Sequence, residues 1–286
     1  MKEKPVADLH THTSYSDSKE SPKNLVERAR RAGLRTIAVT DHDTVSGLED
    51  TYAASRKSSV SIVPGVELST RHKSVEVHVV GLWIDPASAG LKRIMDRIEK
   101  SRVDRAMKMV ERLAGLGAAI DFSDVESVAG KGVIGRPHVA QALVDRGRVD
   151  SFHSAFRLYI GREGPAYVRK LSISPADAIE AIHGAGGVAV MAHPLVGGPQ
   201  REHVRDITAM GLDAVEVSHP KLSANDSHWL REYAAGHGLA VSGGSDWHGE
   251  GWSEGEMGDY GLNERELQEL YSRVPVSKSI QGGKNV

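Results

Sequence analysis

Along this 286-residue chain, short apolar runs end again and again in side chains that can hold a metal ion. The first run leads into Asp8-Leu9-His10-Thr11-His12, residues 34–40 into Asp41-His42-Asp43, and residues 188–192 into His193-Pro194. Residues 213–217 lead into Ser218-His219, and residues 239–242 into Gly243-Gly244-Ser245-Asp246-Trp247-His248. Val66-Glu67-Leu68 and the alternating stretch 75–84, with His78 inside it, add two more. In extended chain, residues i and i+2 point the same way, so His10 and His12 present two imidazoles to one ion.

Helical spacing separates the runs. Ser21-Pro22 reads as N-cap and first helical position, Leu25, Val26, Ala29 and Ala32 fall at helical intervals, and Gly33 is the stop. Strand, loop, capped helix and second strand make a βαβ unit, which favours parallel strands. A second helix is predicted over 44–57, a strand break at Pro64-Gly65, and a helix from Ser174-Pro175 to Gly186-Gly187. The class is α/β with at least six strands. Parallel barrels gather their active sites at the carboxyl ends of strands, and open α/β sheets use the crevice beyond those ends.

Residues 91–169 break the rhythm. One long amphipathic helix is predicted over 91–115 and two more over 137–149 and 152–160, with no strand between. We read 91–169 as a helical insertion over the mouth of a barrel, a substrate cap. The barrel domain is then 1–90 with 170–286. A last helix is expected over 263–272, and a frayed end over 280–284.

Composition narrows the chemistry. With no cysteine, disulfides and thiolate metal sites are excluded, so any ion must be held by nitrogen and oxygen. That suits a reducing cytoplasm. A formal net charge of -2, and no basic stripe with interleaved aromatics, argue against long nucleic acid as a partner. No apolar leader region and no run near the roughly 18 residues of a membrane span is visible. Oligomeric state is not encoded legibly. The chain lacks a Gly-x-Ser-x-Gly elbow, so a serine or cysteine nucleophile is not expected.

His10, His12, Asp17, His42, Glu67, His78, His193, Asp246 and His248 together form the ligand set of a multinuclear hydrolytic site. Taken singly, Glu67 reads equally as a solvated carboxylate, His78 as a core histidine and Asp246 as a helix cap. Together, the motifs Asp8-Leu9-His10-Thr11-His12, Thr40-Asp41-His42-Asp43, Ala192-His193-Pro194 and Gly244-Ser245-Asp246-Trp247-His248 resemble those of the polymerase and histidinol phosphatase (PHP) metallophosphoesterases. Pro64-Gly65-Val66-Glu67-Leu68 is similar to the segment that supplies that family's bridging carboxylate. The resemblance spans nearly the whole chain and implies a distorted (β/α)7 barrel. It also implies two to three divalent ions: Mn, Zn or Fe. One would be held by His10, His12, Glu67 and Asp246, a second by Glu67, His78 and His193, and a third by Asp17, His42 and His248. Asp41 and Asp43 would orient His42. A bridging hydroxide would be the nucleophile, with no protein nucleophile.

Substrate choice is expected to lie in the insertion. Gly135-Arg136-Pro137-His138 opens a helix, where free N–H groups and the helix dipole favour an anion. This run resembles the subgroup of the family that acts on nucleotides. Arg136, with Arg102 and Arg105 about one turn apart on the long helix, would hold phosphates, though arginines on helices are as readily solvated. His138 is a candidate leaving-group acid or a helix cap, and His219 a candidate on the same rim. His72, His153, His183, His203, His228 and His237 are assigned to helices or loops with no function. The expected substrates are nucleoside 3',5'-bisphosphates, 5'-mononucleotides or the 5' ends of short oligoribonucleotides. Alternatives are histidinol phosphate, cyclic phosphodiesters, or a metal-binding PHP domain without turnover.

Overall fold

A computed structural model describes residues 4–130, 132–169 and 172–275; the predicted frayed end at 280–284 lies outside them. The chain divides into two compact units, Met1–Met95 with Ile173–Val286, and Asp96–Ser172.

The first unit is built on seven strands: β1 (Ala7–Thr11), β2 (Thr36–Val39), β3 (Ser61–His72), β4 (Val75–Leu82), β5 (Val188–Met191), β6 (Ala214–Ser218) and β7 (Ala240–Gly243), in sequence order across one sheet. The sheet curls into a nearly closed barrel. Beyond β7, Asp246 N–H donates to the His10 carbonyl and His12 N–H to the Trp247 carbonyl, so the chain end of β7 returns to β1. Gly244 allows that approach, because a Cβ there would stand 2.5 Å from the Cβ of His10. Ala7, Leu9, Ala38, Leu82, Val188, Val190, Ala214 and Ala240 form the buried interior.

Helices α1 (Pro22–Ala32) and α2 (Leu48–Ser55) follow the βα rhythm. Ser21 caps α1 through the Asn24 N–H, and Gly33 closes it at φ 80°. One expectation fails here. Pro64-Gly65 is no break, since β3 runs straight through it, paired in parallel with β2 at Val39–Pro64. The glycine is needed for contact instead: a Cβ at Gly65 would meet Thr40 at 2.8 Å. The βα rhythm is interrupted once, where β3–β4 and β4–β5 pair antiparallel. A hairpin turn at Lys73 and Ser74, with Lys73 at φ 52°, replaces a helical crossover.

Helix α3 (Ala89–Gly115) leads from the first unit into the second, which then holds α4 (Phe122–Ala129), α5 (Arg136–Asp145), α6 (Phe152–Ala155) and a π-helical turn Phe156–Ile160. The sequence reading missed α4, whose single short amphipathic stretch offers little periodicity. Met109, Leu113, Val125, Val139, Leu143 and Ile160 form this unit's own core. Back in the first unit are α7 (Pro175–Gly184), α8 (Arg201–Thr208), α9 (Ala224–His237) and α10 (Glu264–Tyr271). His72, assigned above to a helix or loop, ends β3 and pairs with Asp206 at 2.8 Å.

Candidate metal centre

The site is centred on one carboxylate. Glu67 lies in the middle of β3, fully buried, rather than at a strand end. In the hairpin Ser69 faces His78, which makes Glu67 and His78 diagonal neighbours on one face of the sheet. Glu67 Oε1 stands 2.8 Å from His78 Nδ1 and 3.0 Å from His193 Nε2. Its Oε2 stands 3.1 Å from His10 Nε2, 3.3 Å from His12 Nε2 and 3.1 Å from His42 Nδ1. Five imidazoles from four separate segments therefore surround one side chain.

Asp246 closes one side, with Oδ1 3.2 Å from His12 Nε2 and 3.5 Å from His10 Nε2. Asp17 closes another, 3.2 Å from His248 Nε2 and 3.7 Å from His42 Nε2. Three overlapping groups result: His10, His12, Glu67 and Asp246; His12, Asp17, His42 and His248; and His42, Glu67 and His78. Within each, one donor atom per residue lies within 4.8 Å of the others. The grouping differs from the implied one in sharing His12 and His42 between groups; His193 reaches the cluster through Glu67.

Two of these residues hold unusual backbones, His193 at φ 29° and Asp246 at φ 52°, conformations that survive only where the surroundings enforce them. Charge is the second constraint. Burial pushes Glu67 up, but the imidazoles of His42, His10 and His78 override it and hold the carboxyl well below its usual range. Burial pushes His12 and His78 down, yet the carboxylates beside them raise the two to about 10 and about 9. His42, where burial dominates, falls to about 4. The pocket thus balances its carboxylates with positive charge.

The donors fit divalent cations. Both ring nitrogens of His12, His42 Nδ1 and Asp17 Oδ1 are buried without hydrogen-bond geometry to any partner, although carboxylates or imidazoles lie close by. An orphaned buried polar atom costs about 1–3 kcal/mol. Lone pairs converging on common points from nitrogen and oxygen donors are what a Zn, Mn or Fe site requires.

The other acids of the motifs hold the loops. Asp41 accepts from the Thr13 N–H at 2.7 Å and from the Thr13 and Ser16 hydroxyls at 2.6 and 2.7 Å, fixing the turn after His12 instead of orienting His42. Asp43 accepts from the Ser69 N–H at 2.7 Å and ties that loop to β3. Asp8, raised to about 7 by burial, accepts from the His10 and Ser245 N–H groups and joins the first motif to the last.

The PHP domain family model matches residues 8–135. A 3',5'-nucleoside bisphosphate phosphatase of Chromobacterium violaceum is 35% identical over 88% of this chain and 90% of its own length. The chain belongs to the PHP family. A 5'-3' exoribonuclease of Haemophilus influenzae is 32% identical, covering 86% of this chain and 92% of its own. Among solved structures, a candidate metal-dependent phosphoesterase of Bifidobacterium adolescentis superposes with a TM-score of 0.85 at 33% identity, over 96% of this chain and 98% of that one.

Sequence reasoning placed this PHP chain's His219 on the rim of the site, and the residue is buried there. Its Nε2 lies 3.4 Å from Asp246 Oδ2, and its Nδ1 accepts from the Lys221 N–H at 3.1 Å. Held in that tautomer, His219 faces Asp246. Glu216, on β6, went unremarked, although it is 1% exposed and contacts both His10 and His193. Its one signal was a lone carboxylate between two valines in a strand otherwise apolar.

In the helical unit, Arg102, Arg105, Gly135 and Arg136 line one small cleft. The Arg136 guanidinium sits 5.5 Å from the Phe156 ring and 5.8 Å from that of Tyr167. Arg105 Nε donates to the Val168 carbonyl at 2.7 Å. His138 Nδ1 accepts from the Gly135 N–H at 3.1 Å, a cap for α5 that leaves Nε2 as the ring's donor.

Proposed function

We propose that this PHP protein hydrolyses phosphomonoesters of small nucleotides, at a centre in which His10, His12, Asp17, His42, Glu67, His78, His193, Asp246 and His248 hold two to three divalent ions. The observation that carries this reading is one fully buried carboxylate, Glu67, whose two oxygens face nitrogen donors of separate groups. A carboxylate so placed suits ions held side by side. Bound there, Mn, Zn or Fe supplies the positive charge that neutralises phosphoryl oxygens and acidifies a water near neutral pH. The chain's own contribution is to hold that charge in fixed positions: Glu67 and Asp246 by burial among imidazoles, Asp246 also by His219, and the loops after His12 and His42 by Asp41 and Asp43.

Recognition of the rest of the substrate falls to the helical unit. Three arginines around one cleft, one of them against two aromatic rings, suit an anionic, partly aromatic ligand such as a nucleotide. The relatives' substrates, a nucleoside bisphosphate and RNA, point the same way. With no cysteine and no helix long and apolar enough to cross a membrane among the described residues, we assign it to the cytoplasm.

Orthophosphate release from the Mn-loaded protein tests the proposal. The panel is adenosine 3',5'-bisphosphate, adenosine 5'-monophosphate, a 5'-phosphorylated trinucleotide, histidinol phosphate and a cyclic phosphodiester. Release from one of the first three, and little from the last two, is expected. Ions bound with no phosphate released from any of them would mean a structural metal-binding domain without turnover.

A further inference from the structure

The metal reading gives no role to Glu216, a buried carboxylate of the barrel. Glu216 uses its two oxygens on two different parts of the site: Oε1 stands 3.1 Å from His10 Nδ1, and Oε2 accepts from the backbone N–H of His193 at 2.6 Å. His10 and His193 come from distant parts of the chain and meet different oxygens of Glu67.

Each contact removes one freedom. A carboxylate beside Nδ1 keeps the ring proton there, so His10 turns the lone pair of Nε2 toward Glu67 and Asp246. His193 at φ 29° lies in a region that residues with a side chain rarely occupy. A short bond from its N–H to a buried anion holds the backbone in that bend, and with it the direction of the ring.

We infer that Glu216 is a positioning residue that sets both halves of the ligand shell at once, fixing the His10 tautomer and the His193 backbone so that the ion subsites on the two sides of Glu67 fill together. The inference rests on the metal-centre reading above. It makes the glutamine variant informative: an amide offers one acceptor and one donor, so Glu216→Gln must turn an N–H toward either His10 or His193. Glu216→Asp keeps two acceptor oxygens on a shorter arm.

The test is calorimetric titration of the chelator-stripped full chain with Mn²⁺, with far-UV circular dichroism of the metal-free variants. Glu216→Gln is expected to weaken ion binding about 10–100-fold, the usual effect of removing an orienting partner, and Glu216→Asp to recover part of it. Should the glutamine variant not fold, nitrogen-15 NMR of the Zn-loaded wild type decides: a slowly exchanging proton on His10 Nδ1 supports the inference, and one on Nε2 overturns it. A glutamine isotherm matching wild type overturns the inference while the metal centre stands. A wild type that takes up neither Mn nor Zn overturns the metal-centre reading itself.

Discussion

The barrel unit and the helical unit bury opposite things. In the barrel, Asp8, His10, His12, Asp41, Glu67, Glu216 and His219 lie within a few per cent of full burial, in a sheet whose remaining interior is apolar. In the helical unit the core is aliphatic and aromatic throughout, built from residues such as Met109, Leu113, Leu143 and Ile160. An ion pair of this unit, Arg146–Asp124, stays at the surface, with Arg146 half exposed. Burying charge costs several kcal/mol per ion unless it is paired, so the barrel spends stability on a fixed arrangement of donors. Among its described residues the helical unit buries no charged side chain. The donors sit on strands and on the loops just past strand ends, whereas the arginines of the cleft stand on or beside helices.

The sharpest way to break this comparison is to remove a donor from the barrel. Asp246→Ala and His193→Ala should abolish phosphate release and lower ion content in elemental analysis, with circular dichroism unchanged; substantial remaining activity would undo the ligand assignment. Stripping ions with a chelator should do the same to the wild type, and adding Mn²⁺ back should restore it. Next in size is a cavity in the other unit. Leu143→Ala, at a fully buried position, should cost about 2–5 kcal/mol in denaturant unfolding while leaving the Mn²⁺ isotherm unchanged. A smaller effect is expected at the arginine cleft: Arg136→Ala should reduce kcat/KM about 10–100-fold, as losing a charge-assisted pair worth about 1.5–3 kcal/mol would, with ion content intact. Loss of ions from that variant would mean the division of labour is wrong. The smallest is Ser174→Ala, which removes the side-chain cap on the Asp177 N–H of α7 and should cost about 1 kcal/mol in stability with no change in turnover.

Local physics made much of the barrel readable. The capped helix between Ser21 and Gly33, the apolar runs that became β1, β2 and β5 to β7, and the ligand-type residues after them all follow from short-range pattern. What misled were features whose meaning depends on distant neighbours. Pro64-Gly65 reads as a break until β2 is seen lying against it, and the two-residue turn at Lys73 gave no notice that the sheet would reverse direction twice. In the helical unit the three predicted helices all appear, with ends that shift by a few residues, and α4 is an addition.

The sequence by itself determined the kind of chemistry: no thiols, many imidazoles, and carboxylates at intervals that match a known family, each a property of residue type and spacing. Only the tertiary structure decided the arrangement. It made Glu67 the shared centre, buried His219 behind Asp246, turned Asp41 and Asp43 to the loops, and brought Glu216 between His10 and His193. The reason is physical. A side chain's type is written at its own position, but its partners are set by how seven strands close on one another: the bond from the Ser245 N–H to Asp8 joins residues 237 positions apart.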